Sequence, residues 1–477
     1  MTLDTVEGVK CVHRNSRQSE KETTRPQNFP IGFGCDLVFG LLPYRMFICH
    51  LPLCMRVRRG LPMGTIRYGL VGGGFYANFQ LRALRQVRDV EIAGLVSRRP
   101  PQELSDAVRS LGMGEARIYP TVKDMVPHVD VVAIFAPNFV RLPIVEEIAE
   151  ALSNGHSLRA VICDKPLARN IREARRMIER LRPFGVPLIY FENQLHMKAV
   201  KAVREQLAPV SEAMGPLSLV RASEEHAGPH SAWFWDPTQS GGGVMADMGC
   251  HSIAVAWYLL TPPNKPVRHL QPVSVSADLS LLKWGRRRWR AELRERFGID
   301  YESQPAEDFA TGIVSFLDPD TNILSKAQFT VSWMYDKQGL RVMLDGLGPG
   351  YAFEMNSLKS PLEVFVGDAA AAGVADAESA LEKQQATRGL LTVQPNEPDL
   401  YGYVDENVDA VRSILTGAPT LLDWDYGLEI VRLTMAAYLS AERKATVDLT
   451  DPDTNTLLET YVPLIQQGKG REVLHIQ

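Results

Sequence analysis

The stretch "TIRYGLVGGGFYANFQLRALRQV", residues 65–87, decides the fold of this chain. Its first part is a short apolar run of the kind that forms a buried strand. Its last part repeats apolar residues at helical spacing, and Gly72, Gly73 and Gly74 join the two. The turn fits the form G-x-G-x-x-G/A. Gly72 permits the tight turn, Gly74 lets the backbone approach a pyrophosphate, and Ala77 allows close helix–strand packing. Phe75 and Tyr76 open the helix, whose N-terminus faces the phosphate charge. Alone, such a turn is often only a turn, so the sequence around it has to decide.

Further strands read as "VEIAGLVS", "VDVVAIFAP" and "LRAVICDKP", separated by helical stretches near Leu142–Leu152 and Ile171–Leu181. Asn170 and Glu173 have the spacing of an N-cap box for the second helix. Nearly continuous Val/Ile/Leu strands alternating with helices predict a parallel sheet covered on both faces, a doubly wound α/β domain over 64–192. Placed after the first strand of such a domain, the glycine turn favours a dinucleotide. Gly72, Gly74, Phe75 and Tyr76 are its candidate contacts, with Pro137 and Asn138 of "IFAPN".

The end of the second strand should choose between NAD and NADP. An acidic residue there would bind the ribose 2′-hydroxyl, but this chain has Ser97, Arg98 and Arg99. A hydroxyl and guanidinium groups tolerate a 2′-phosphate, which favours NADP. The arginines would equally suit plain solvated surface, so both cofactors stay open.

The chain has 477 residues and a formal net charge of -4, which calls for two domains and gives no electrostatic case for nucleic acid or an anionic membrane. Its six cysteines form neither a disulfide framework nor a CxxC knuckle. Residues 1–63 read as an accessory extension, or as translation from a start upstream of the functional one, in preference to an organelle-targeting or membrane-touching segment. A polar run that reads as disordered is followed by an apolar part broken by Asp36, Pro43, Arg45, His50 and Pro52. It offers neither a clean membrane span nor a signal peptide, and a cytoplasmic protein is expected.

After residue 192 strand-like runs with two-residue alternation predict a mostly antiparallel sheet in an α+β domain over 193–450, followed by a tail over 451–477. Two insertions stand out, the basic "KWGRRRWRAELRERFGID", read as a solvated helix, and the small-residue stretch 367–389. The domain also carries "SGGGVMADMGCHSI", residues 240–253. A helix from about Val244 to Leu260 would set Asp247 and His251, at i and i+4, side by side next to a buried stripe of Ala246, Cys250, Ile253, Ala254 and Trp257. A satisfied polar pair at a core boundary would look the same. Lys165, on the proline-terminated strand "VICDKP", tips the balance, because open parallel sheets bind ligands outside the carboxyl ends of their strands. Lysine, histidine and aspartate are the groups an alcohol oxidation needs.

In order along the chain, "GLVGGGFYA", "IFAPN", "VICDKPLARN", "GGGVMADMGCHSI" and "DYGLEIVRLTMAAYLSAERKATVDL" resemble the glucose–fructose oxidoreductase, inositol dehydrogenase and rhizopine-catabolism (Gfo/Idh/MocA) family over about residues 64–450. The family's usual "EKP" stands here as Asp164-Lys165-Pro166, and Arg141 matches its usual histidine shortly after "TPN". The resemblance implies an NAD(P)-dependent dehydrogenase acting on a CH–OH group of a sugar, polyol or glycoside. It also implies a homo-oligomer built through the open face of the C-terminal sheet.

In that chemistry His251 suits the general base, Lys165 would hydrogen-bond the same substrate oxygen, and Asp247 would hold a neighbouring hydroxyl. No metal is expected. His226 and His230 of "EEHAGPHSAWFWD" have a metal-like spacing, but Gly228 and Pro229 prevent a helical ligand face, which leaves substrate contact or loop structure. Trp233, Phe234, Trp235 and Trp333 could stack on a sugar ring or pack in the core. A glycosidase or lyase working by transient sugar oxidation with retained NAD would use the same site residues. A cofactor-binding regulator without turnover would keep the same fold, although Lys165, Asp247 and His251 together argue against it.

Overall fold

The computed structural model describes residues 64–337, 339–359, 362–366, 389–393 and 396–475. The extension 1–63 and nearly all of the insertion 367–389 lie outside the described residues.

The first domain is built on six parallel strands: β1 (Ile66–Val71), β2 (Val90–Val96), β3 (Arg117–Ile118), β4 (Val131–Ile134), β5 (Ala160–Asp164) and β6 (Leu188–Phe191). Their order, β3-β2-β1-β4-β5-β6, reverses direction between β1 and β4. Every residue of β4 and β5 is buried, as a sheet covered on both faces requires. Helix Ile171–Leu181 has the predicted bounds, and the Asn170 side chain accepts the Glu173 backbone N–H at 3.1 Å. The Glu173 carboxylate does not return to close the box but turns to Arg169.

The reversal point leaves a crevice beyond the carboxyl ends of β1 and β4. Gly72 sits there with φ +125°, and a Cβ on it would lie 2.8 Å from the carbonyl oxygen of Phe135, just past β4. Both its backbone conformation and its space therefore require glycine.

The second sheet contains β7 (Leu219–Glu225), β8 (Gln271–Ser280), β9 (Phe309–Leu317), β10 (Leu324–Ser332), β11 (Arg341–Gly348) and β12 (Tyr351–Asn356). A hairpin of β13 (Leu362–Val366) and β14 (Gly389–Val393) stands apart, and β15 (Val447–Asp448) returns to the sheet edge. The order is β12-β11-β7-β10-β9-β8-β15, with β7 and β10 parallel and all other neighbours antiparallel. One face packs on helices Cys250–Leu260 and Trp424–Arg443. On the other face Ile313 of β9 and Leu347 of β11 stay exposed.

Every residue of helix Cys250–Leu260 is buried, so it has no single buried stripe. Its apolar composition is that of a central core helix packed on all sides. The basic insertion forms helix Arg287–Phe297, which buries Leu293 and exposes Arg287 and Arg288. Two later segments are woven into the body. Ala410 and Val411 of helix Tyr403–Thr416 pack into the core of the first sheet, and Leu458, Ile465 and Leu474 of the C-terminal stretch are buried.

Candidate active site

The loop Gly241–Gly243 is fixed from across the second domain by Glu307. Its Oε1 accepts the backbone N–H groups of Gly243 (2.9 Å) and Met245 (3.0 Å) and the Tyr438 hydroxyl (2.6 Å). A Cβ on Gly243 would lie 2.1 Å from the Glu307 carbonyl oxygen, so the approach leaves room only for hydrogen. The chain then makes a π-helical turn, Met245–Gly249, before the α-helix starts at Cys250. The predicted continuous α-helix from Val244 is corrected accordingly. Wider turns of this kind re-aim side chains at functional sites. Here Asp247 lies on the π turn and His251 on the first α turn, and both line one cleft.

Lys165 enters that cleft from the end of β5. Its Nζ donates to the Asp247 carbonyl at 2.8 Å and to Asp247 Oδ1 at 3.4 Å. The other carboxylate oxygen, Oδ2, accepts the Trp333 indole N–H at 3.3 Å and lies 3.8 Å from His226 Nε2. Burial disfavours the charged forms of both Lys165 and Asp247. The Asp247 carboxylate nevertheless raises Lys165 above the ordinary lysine range, and Lys165 with His226 holds Asp247 well below the usual carboxylate range. The two stay ionised together. His251 has its Nδ1 turned inward onto Glu192 Oε1, and burial, reinforced by Lys165, pushes its pKa down to about 4.

The Asp164-Lys165-Pro166 turn has its own brace. Arg141 is buried, and its guanidinium donates to the carbonyls of Ala136 (3.0 Å), Asp164, Lys165 (3.1 Å) and Pro166. Asp164 Oδ1 in turn accepts the Tyr76 hydroxyl at 2.7 Å. Tyr76 and Asp164 thus link the glycine turn to the turn that carries Lys165.

The glycine turn, Phe75, Tyr76, Ser97, Arg98, Pro137 and Asn138 line the same cleft as Lys165, Asp247 and His251, within about 1410 Å³. That volume exceeds the roughly 300–1,000 Å³ of a pocket for one small ligand, as a dinucleotide plus a substrate would need. A Cβ on Gly74 would meet nothing within 4 Å, and Gly74, Phe75 and Tyr76 at the start of helix Phe75–Leu84 line the cleft. The residues present fit a dinucleotide: the glycine turn for its phosphates, and Ser97 with Arg98 for its adenosine ribose.

His226 and His230 also line the cleft. His226 Nδ1 accepts the Gly228 N–H at 2.9 Å, and His230 packs on the Phe75 ring at 4.9 Å. Trp235 does not belong with them. It is buried against Trp284, Trp333 and Tyr301, with its indole N–H on the Pro229 carbonyl, because an apolar pocket of large rings is open to it on the core side. Trp233 and Phe234, stacked at 3.8 Å, are the aromatics that reach the cleft. Sequence reasoning missed Glu192 and Glu307, and it singled out Arg141 only as a departure from the family pattern, not as a brace. Glu192 had a usable signal, its position just past the carboxyl end of β6.

Comparison with known proteins agrees over both domains. Residues 66–191 match the oxidoreductase family with an NAD-binding Rossmann fold, and residues 200–346 match the GFO/IDH/MocA C-terminal domain. An uncharacterised protein of Saccharomyces cerevisiae is 25% identical over 210 residues, 42% of this chain and 56% of its own. D-apiose dehydrogenase of Rhizobium rhizogenes is 27% identical over 210 residues, 42% of this chain and 55% of its own. The chain thus spans about half the length of the curated relatives it matches. A crystal structure of GenD2 from gentamicin A biosynthesis in complex with NAD shares the fold, with a TM-score of 0.63 at 22% identity over 82% of this chain and 99% of that one. With both of its domains matched in order, the chain belongs to the Gfo/Idh/MocA family.

Proposed function

We propose that this protein transfers hydride between NAD(P) and a secondary hydroxyl of a sugar, polyol or glycoside. One observation carries the reading: Lys165, Asp247 and His251 meet in the cleft that continues to the glycine turn. When bound, the nicotinamide accepts or returns the hydride. The chain's own residues handle the proton and the oxygen. His251 takes the hydroxyl proton, Lys165 hydrogen-bonds the same oxygen and stabilises developing alkoxide, and Asp247 fixes Lys165 and holds a neighbouring hydroxyl. Relatives named D-apiose dehydrogenase and levoglucosan dehydrogenase support a carbohydrate substrate. A homo-oligomer through the open face of the second sheet, as the family resemblance implies, belongs to the same proposal.

The test follows nicotinamide absorbance and sugar products together, using excess oxidised cofactor and a panel of sugars, polyols and glycosides. Reduced cofactor is expected to accumulate in step with a keto product. Glycoside cleavage over many turnovers with no net reduced cofactor would replace this reading with transient oxidation.

Cofactor choice has its own test. Arg98 is exposed at the cleft beside Ser97, and among the described residues no carboxylate follows β2 there. NADP is the proposed preference. Arg98→Ala is expected to weaken NADP about tenfold while leaving NAD within about twofold, the size of one charge-assisted contact. Equal effects on the two cofactors would make the arginine plain surface.

A further inference from the structure

Glu192 is fully buried just past β6, and it does not line the cleft. Its Oε1 bonds His251 Nδ1 and also accepts the Gln194 backbone N–H at 3.3 Å. Its Oε2 is buried with no hydrogen-bond partner among the described residues. His251 does line the cleft, and with Nδ1 committed inward, Nε2 is the ring nitrogen left for a ligand.

We propose that Glu192 is a positioning residue that trades a proton with His251 Nδ1 whenever Nε2 takes a proton from, or gives one to, the substrate oxygen. The proposal rests on the reading that His251 meets that oxygen. A neutral imidazole carries one N–H. When that proton sits on Nδ1 and is donated to ionised Glu192, Nε2 offers a lone pair to the cleft, the form an alcohol oxidation needs. When the proton sits on Glu192 and is donated to Nδ1, Nε2 carries hydrogen, the form a ketone reduction needs. In the oxidation direction the substrate O–H and the Nδ1–H break while Nε2–H and Oε1–H form. The imidazole is neutral at both ends of the step.

Burial is the reason for preferring this relay to an imidazolium–carboxylate pair. It pushes His251 down to about 4 and Glu192 up to about 8, against the opposing influence of Lys165 and the Gln194 N–H on Glu192. The pair therefore holds its extra proton on the carboxyl group. The other groups facing it are Lys165 and Asp164 from the β5 turn, Asp247 and Cys250 from the π turn and the helix start, Glu224 from β7, Tyr190 from β6, Glu406 from helix Tyr403–Thr416 and Tyr426 from helix Trp424–Arg443. Lys165 and Asp247 stay charged through the neutral range, while burial raises the Cys250 thiol and the Tyr190 and Tyr426 hydroxyls. Burial also raises Asp164 and Glu406, so substitution at Glu192 itself must identify the titrating group.

Two measurements test the proposal on the full chain. In the wild type, kcat/KM for alcohol oxidation is expected to rise with pH through about 8 as the pair loses its proton, and ketone reduction to fall. Glu192→Gln cannot accept that proton. Its oxidation rate should fall about tenfold or more and become flat from about pH 6 to 9, with dinucleotide binding unchanged. A loss of rate with the limb unmoved would make Glu192 merely structural and overturn the relay. The second measurement needs neither turnover nor a variant at Glu192. In ¹⁵N-histidine NMR of the wild type, the His251 resonances, assigned by their absence from His251→Ala, should show the proton on Nε2 near pH 6 and on Nδ1 near pH 9. One tautomer at both pH values would overturn the relay. A tautomer exchange in a protein that oxidises no alcohol would instead sink the proposed function.

Discussion

Lys165→Met is expected to lower kcat/KM for alcohol oxidation about 10³-fold, with dinucleotide affinity within about threefold of wild type. The size follows from where the ammonium sits. Burial works against its charge, yet Asp247 keeps Lys165 protonated, so a full positive charge already stands in the cleft where the proposed reaction would develop alkoxide. A preorganised donor of this kind acts in the transition state more than in the ground state, so the loss should appear mainly in kcat. Methionine keeps the length of the side chain and limits the cavity. It also removes the ammonium that does most to hold Asp247 ionised, leaving Trp333 and His226 among the described residues, which should raise its pKa from its depressed value. Steady-state rates at saturating cofactor, with dinucleotide titrated by tryptophan fluorescence, check both halves. A variant within about tenfold of wild type would remove Lys165 from the chemistry.

The fold was legible wherever the determining contacts are local. Helix Ile171–Leu181 has its cap, its periodicity and its terminus within a dozen residues, so its sequence alone predicts its bounds. The glycine turn was legible because Gly72 answers to a strand ending and a helix start that are both adjacent in sequence. The π turn was not legible, because the group that holds its start is Glu307, more than fifty residues away, which accepts the Gly243 and Met245 N–H groups. Lys165, Asp247 and His251 could be named from their chemistry. What holds them could not, since Trp333, Glu192 and Arg141 each reach the site by a long-range hydrogen bond that no spacing announces. Trp235 is the converse case. The sequence leaves stacking on a sugar ring and core packing both open, and the rings of Trp284, Trp333 and Tyr301 take it into the core.

Arg141 leads to the second large effect. Arg141→Met is expected to cost about 3–5 kcal/mol of stability, a large share of the roughly 5–15 kcal/mol of a typical native protein. The guanidinium reaches carbonyls at four residues, three of them consecutive in the Asp164-Lys165-Pro166 turn, and a thioether replaces none of these bonds. Asp164 loses in addition the guanidinium that opposes the effect of burial on its carboxyl group. Because the Lys165 carbonyl is one of the orphaned acceptors, the turn that aims Nζ loosens as well. A displacement of about 1 Å at a reacting group can cost about 10²-fold in rate, so activity should fall by that order even in the fraction that stays folded. Arg141→Lys should recover little of either loss, since one ammonium cannot span the planar array that the fork of N–H groups fills. Thermal unfolding and kcat measured on both variants decide the matter. If Arg141→Met melts with the wild type and keeps its rate, the guanidinium only fills space behind β5, and the orientation of Lys165 must come entirely from Asp247.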